Sequence, residues 1–227
     1  MTATLTIIQY RKRYIFFALL AMAVHRFPLY FNKKISFWKL MGSGKNGTFD
    51  KTPDWQQWAI LTVTDQQILI TPHHFELHKM LYGPFIAKWY RFFNCKTLTY
   101  ILQPLEGHGL WDGKKAFGPL NAAADHEGEI AVLTRATIRM AKLKQFWKHV
   151  NPVADLMAGT KGFIRSYGIG EIPWLKQATF SIWQSKADMK AFAYKMHEHA
   201  EVIRKTRAEK WYSEDMFVRF AIIAVIS

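Results

Sequence analysis

Between Gly162 and Trp183 the chain reads GFIRSYGIGEIPWLKQATFSIW, two aromatic-rich segments separated by Gly-x-Gly and a tryptophan, and Ser36 to Val63 carries the same arrangement. Phe37-Trp38-Lys39-Leu40-Met41-Gly42-Ser43-Gly44 aligns with Phe163-Ile164-Arg165-Ser166-Tyr167-Gly168-Ile169-Gly170. Trp55-Gln56-Gln57-Trp58-Ala59-Ile60-Leu61 aligns with Trp174-Leu175-Lys176-Gln177-Ala178-Thr179-Phe180. In each copy one strand ends at Gly-x-Gly, whose glycines supply turn torsions, and a second strand is expected to begin at the tryptophan. A recurring hairpin implies an internal duplication, so the elements around one copy should recur around the other.

They do. Thr2 to Gln9 alternates as a strand. Arg11-Lys12-Arg13 followed by the apolar run Tyr14 to Val24 imitates a signal peptide, but a strand-like segment precedes it and the run is too short to cross a bilayer. It is expected to be the first buried helix. Ser36 to Gly44 and Trp55 to Thr64 form the first hairpin around the loop Lys45 to Pro53. A helix is expected from Thr71-Pro72 through His74, Leu77, His78 and Leu81 toward Trp89, broken at Gly83-Pro84, and a strand over Lys96 to Gln103. Glu106 to Glu129, with five glycines and little periodicity, reads as a linker. The order then repeats: strand Glu129 to Arg139, helix Ala141 to Met157, hairpin, helix Ser185 to Lys205, strand Met216 to Ile226.

Each half is βαββαβ, the ferredoxin-like plait, giving an α+β chain with a first half over 1–105, a linker over 106–128 and a second half over 129–227. Helices cover one face of such a sheet and leave the other bare. Two plaits can bury their bare faces against each other as an α/β barrel of the dimeric type, with a pocket inside it or between sheet and helices.

Nine Trp, nine Tyr, seventeen Phe and nine Met furnish an interior that suits a large apolar ligand and equally a dense core. The lone Cys95 excludes an internal disulfide framework and a multi-cysteine zinc site, and makes the cytoplasm the simpler compartment. A net charge of +14 without any nucleic-acid-binding motif favours an anionic membrane surface as partner, with a merely solvated basic surface as the alternative. Localisation is thus expected in the cytoplasm, including the inner membrane surface.

Met189, Phe192, Met196 and Ile203 recur at helical spacing, and His199 lies at the edge of that stripe. Such an imidazole is either a hydrogen-bonded core or rim histidine or a metal or heme ligand. Its neighbour His197 is turned away from the stripe. His74 and His78 have chelating spacing but no third ligand, so exposed helix histidines are the plainer reading. Arg135 and Arg139 flank Thr137 on one strand face, where they could clamp carboxylates or line a solvated surface. No phosphate loop with Lys, serine nucleophile elbow or HExxH is present, which removes support for phosphoryl transfer, serine hydrolysis and zinc proteolysis.

Phe37 to Gly44, Leu133-Thr134-Arg135-Ala136-Thr137-Ile138-Arg139 with Phe146-Trp147, Gly168 to Leu175 with Gln177 to Trp183, and His199-Ala200-Glu201 with Ile203-Arg204, Trp211 and Arg219-Phe220 together resemble the spheroidene monooxygenase family. The resemblance runs from Ser36 to Ser227 and is poor over the N-terminal helix and Thr71 to Asn94. It implies a heme b (iron) oxygenase that uses O2 and an external electron donor to hydroxylate an acyclic carotenoid near its end and oxidise it on to a ketone. It further implies His199 as axial ligand, Arg135 and Arg139 as propionate anchors or distal hydrogen-bond donors, and Trp174, Phe180 and Trp183 lining the pocket or packing beneath it. Two rival readings keep the fold: a heme-dependent lyase of the aldoxime dehydratase type, and a non-catalytic barrel binding an apolar small molecule. A monomer and a homodimer are both compatible with the chain.

Overall fold

A computed structural model describes residues 1–45, 52–120, 126–195, 206 and 209–227. Its first half contains β1 (Thr2–Gln9), α1 (Ile15–Val24), α2 (Arg26–Phe31), β2 (Phe37–Gly44), β3 (Pro53–Thr64), α3 (His74–Tyr82), α4 (Pro84–Phe92) and β4 (Lys96–Gly109). The second contains β5 (Ile130–Ile138), α5 (Leu143–Ala158), β6 (Phe163–Ile172), β7 (Lys176–Trp183), α6 (Lys186–Lys195) and β8 (Tyr212–Ile226).

The strands close into one barrel in the order β1-β3-β2-β6-β7-β5-β8-β4. Cut between β2 and β6 and between β4 and β8, this ring falls into two sheets of identical internal order, so the duplication read from the hairpins is the architecture. The echoing Gly-x-Gly segments meet across the first seam, where Gly42 opposes Gly170 and Ser43 opposes Ile169. A side chain at Gly170 would bring its Cβ within 2.7 Å of the Lys176 carbonyl oxygen, so the backbone approach in this hairpin admits only glycine.

Alternation along the strands divides the apolar residues between the barrel interior and the helix-facing surface. Leu5, Leu61, Tyr100, Leu133, Phe180 and Phe220 fill the interior together with Trp111, which enters from beyond β4. The other face of the first half packs Ile8, Leu40 and Ile60 against Ala18, Leu77 and Tyr90 of its helices. In the second half that layer is divided between a cluster of Ile130, Val132, Trp183, Met189 and Phe192 and a separate one of Ile138, Phe146, Trp147 and Trp211.

Several boundaries differ from the sequence expectation for local reasons. β4 continues to Gly109 because its last residues pair with β8, so the connection between halves starts beyond the predicted 106. α3 starts at His74, since the Thr71 hydroxyl accepts the His73 N–H (3.3 Å) and holds the preceding residues in a turn. Gly83, at φ 92°, breaks the helix as anticipated. Trp174 sits in the β6–β7 turn at φ 64° instead of starting a strand. The largest correction concerns α1, expected to be buried: only Ala18 and Ala21 of it are, while Phe16, Leu19 and Leu20 face outward. Small residues let the helix lie close to the sheet, and the large ones find no layer above them.

His78, expected to be exposed, is buried, as is His25. Both rings lie 5.5 Å from the Tyr90 ring, and neither Nε2 has a hydrogen-bond partner. Burial, helped at His78 by the nearby His74, pushes each imidazole from 6.5 down to about 4. Both are therefore neutral in the fold, whereas the unfolded chain takes up their protons first as the pH falls. Stability should be fully present above pH 6.5 and decline toward pH 4, by about 3 kcal/mol per imidazole. Urea unfolding at stepped pH should show this slope, and a His25→Phe/His78→Phe double variant should flatten it.

Candidate functional site

Two regions concentrate polar side chains, and their chemistry differs. The first closes one mouth of the barrel. Arg135 projects from β5 into the apolar interior, 1% exposed, where a guanidinium is tolerated only with carboxylate partners. Glu214 of β8 pairs with its Nη1, while Asp112 and Glu171 stand 3.5 and 4.0 Å from its Nη2. Lys39 pairs with Asp112 and, at 2.7 Å, with Glu171; Lys176 reaches Asp112 at 2.7 Å. Trp111 lies beneath this lattice, its indole N–H donating to Glu171 at 2.6 Å and its ring 5.5 Å from the Arg135 guanidinium. Burial raises the Asp112 carboxyl, but hydrogen bonds from Lys176 and Lys39 outweigh it and hold the group at about 2. At Glu214 burial is likewise overcome, by the Gly113 and Asp112 backbone N–H groups and by Arg135. Three cations face three carboxylates here, so the lattice is self-neutralised and latches the Trp111 segment over the barrel. It does not offer an unmatched charge to a ligand.

The second region is a band on the helix-facing surface of the second sheet, between that half's two apolar clusters. Pairing puts Gly168, Thr179, Thr134, Phe217 and His108 in one row across β6, β7, β5, β8 and β4. Thr134 is exposed although its strand is hydrogen-bonded on both sides and its outer-face neighbours Val132 and Ala136 are buried. Among the described residues, the helix layer is thus open above it. Thr179 Oγ1 is buried without a hydrogen-bond partner among the described residues. Trp183, its ring 5.3 Å from Phe192, walls one side; Phe146, Trp147 and Trp211 wall the other. The His108 ring stacks on Phe217 at 5.8 Å. At the edge, Glu106 pairs with Arg219 and with Lys186 (3.1 Å), tying the start of α6 to the sheet. A floor of small side chains, aromatic walls and a free hydroxyl can receive a flat, largely apolar ligand with a polar edge.

The residues singled out from the sequence are dispersed. Trp183 lies at the wall of the band, but Phe180, one alternation out of phase, is wholly buried inside the barrel. Trp174 is 53% exposed, and its carbonyl accepts the Trp147 indole N–H at 3.4 Å. Arg135 and Arg139 do not form a common row, because β5 ends at Ile138 and Arg139 begins the turn that follows. Arg139 is exposed and donates through Nε to the Tyr212 carbonyl at 3.2 Å. His199 and His197 lie outside the described residues. No group of three or more His, Cys, Asp or Glu placed to hold a metal ion occurs among the described residues. Sequence reasoning missed Thr134 and Thr179; the available signal was a hydroxyl at an outward position of an otherwise apolar strand.

Known proteins resemble this chain in family and in fold. No protein-family model matches the chain. It is 32% identical to a spheroidene monooxygenase of Cereibacter sphaeroides over 90% of its own length and 61% of that protein's. Against a spheroidene monooxygenase of Rhodobacter capsulatus the identity is 34% over 89% of this chain and 81% of the relative. A third spheroidene monooxygenase, from Rubrivivax gelatinosus, is 37% identical over 58% of this chain and 50% of its own. The chain therefore spans less than two thirds of the first of these relatives. Among solved structures, an aldoxime dehydratase in complex with butyraldoxime superposes with a TM-score of 0.59 over 97% of this chain and 79% of that one, at 10% identity, a likeness of fold alone.

The ion lattice makes a direct prediction. Replacing Arg135 by Met should leave Glu214 without its cation at the barrel mouth and cost about 3 kcal/mol, whereas Arg139→Ala should stay within about 0.5 kcal/mol of the parent. Denaturant unfolding at neutral pH measures both. Equal effects would remove the distinction between a buried anchor and a surface arginine.

Proposed function

We propose, from the premise that this chain belongs to the spheroidene monooxygenase family, that it is a heme-dependent monooxygenase acting on an acyclic, carotenoid-like substrate. The observation that carries this reading is the open band over Thr134, with the buried, unpartnered Thr179 hydroxyl in its floor. In such a reaction one atom of O2 enters a C–H bond of the substrate and the other leaves as water, with two electrons from an external donor and two protons. Heme, when bound, would supply the activation of O2.

The side chains of the band fit a planar macrocycle in kind. Thr134, Thr179 and Gly168 leave a low floor in one row, and Trp183 and Phe192 form an apolar wall that excludes water. Thr179 Oγ1 offers a hydrogen bond to a polar edge of such a ligand. His199 is proposed, on the resemblance alone, as the residue that would hold the heme iron. Arg135 has its carboxylate partners inside the barrel and Arg139 lies at a turn, so neither is retained as an anchor.

Titration of purified chain with hemin should give a Soret band that saturates near one heme per chain. Thr134→Trp, which fills the gap from an exposed position, should reduce uptake at least tenfold with the far-ultraviolet dichroism preserved. His199→Ala should alter the ligation spectrum or abolish binding. Wild-type spectrum and heme content in both variants would defeat the assignment, and absence of uptake by the parent chain would favour the non-catalytic barrel.

A further inference from the structure

The outward face of the first two helices has no counterpart among the described residues of the second half. Phe16 is 69% exposed, Phe27 67%, Tyr30 77% and Phe31 73%, with Leu19 and Leu20 between them. Rings carry this surface across to α4: Phe17 lies 4.7 Å from Phe93, which is 5.0 Å from Phe92, itself 81% exposed. A contiguous aromatic and aliphatic patch in water is the signature of a surface meant to be covered.

Charge selects the cover. Arg11, Lys12, Arg13, Arg26, Lys33 and Lys34 surround the patch, all exposed, and Lys88 and Arg91 flank Phe92. No Asp or Glu occurs among residues 1–49 or 77–105, so these cations gather around the apolar face without an acidic neighbour in the sequence. Large apolar side chains with a basic rim fit the headgroup region of an anionic bilayer, where the rings enter the acyl boundary and the cations remain among phosphates. Lys12–Phe31 is apolar enough over 20 residues to cross a membrane by composition. In the fold, however, it is interrupted at His25 into helices of 10 and 6 residues, and its opposite side is held to the sheet layer through Ala18, Ala21 and Leu29. Crossing a bilayer would strip those residues, and the buried His25 between them, from the layer they pack against.

We infer that the α1–α2 face, extended by Phe92, is a docking surface that lies in the plane of an anionic lipid bilayer without crossing it. The inference stands independently of the heme reading, since it uses neither the band nor His199. A chain so docked would meet a lipid-dissolved substrate at its source.

Flotation of the full chain with phosphatidylcholine vesicles, with and without phosphatidylglycerol, tests it. The parent should float with the anionic vesicles and be released by alkaline carbonate. The triple variant Phe16→Ser/Phe27→Ser/Phe31→Ser should lose at least about tenfold in partitioning at an unchanged melting midpoint, because the three rings touch solvent in the free protein. A second variant, Arg11→Glu/Lys12→Glu/Arg13→Glu, should lose the preference for anionic lipid. Parent protein that stays with the unbound fraction, or resists carbonate as a crossing helix would, overturns the inference. So does sedimentation showing that the patch is instead buried in a dimer that the serine variant dissociates.

Discussion

Each four-stranded half of this protein has an apolar face that no helix covers, and the rest of the structure depends on burying those two faces against each other. Leu5, Leu61, Tyr100 and Phe37 from one half meet Leu133, Phe180, Ile182 and Phe220 from the other in a single cluster. An open four-stranded sheet would expose both this face and its edges to water and to foreign strands. Closure removes both liabilities through unequal seams, two residue pairs between β2 and β6 and ten between β4 and β8. The long seam explains why β4 and β8 outgrow the other strands of their sheets.

Filling the barrel with side chains decides where a ligand can go. With Trp111 drawn under the ion lattice at one mouth and aromatic rings packed through the interior, the remaining spaces lie between sheet and helices. Duplication provides two such spaces, and they have diverged. The first is packed with Tyr10, Tyr82, Tyr90 and two uncharged histidines, which leave a cavity of only about 10 Å³ between Tyr10, His25 and Tyr90. The second is parted into two clusters with Thr134 open between them.

Arginine and lysine serve opposite purposes in different parts of the molecule. At the barrel mouth they are matched one for one with carboxylates, which makes the lattice a fastening. Around α1 and α2 they have no acidic neighbours in the sequence and retain their attraction for an anionic surface. A net charge of +14 does not distinguish these roles; local pairing does.

The sequence by itself determined the duplication, the βαββαβ order of each half and the kink at Gly83, because periodicity, glycine torsions and the paired hairpins are local properties of the chain; the family follows from likeness to relatives along the chain. Tertiary structure alone decided which side of each strand became interior. Phe180 and Trp183 are three residues apart in one strand and so point to opposite faces, though both look like pocket aromatics in the sequence. Arg135 looked like one of a pair with Arg139 until the strand ended between them and carboxylates from β8 and the Trp111 segment came to it. Thr134 and Thr179 gave almost no signal, since a threonine in a strand is ordinary until the helices above it part. The burial of His25 and His78 and the exposure of Phe16 likewise followed from which face of a helix lay against the sheet, a choice settled in α1 by the close approach that Ala18 and Ala21 allow and in α3 by the burial of Leu77 and Leu81.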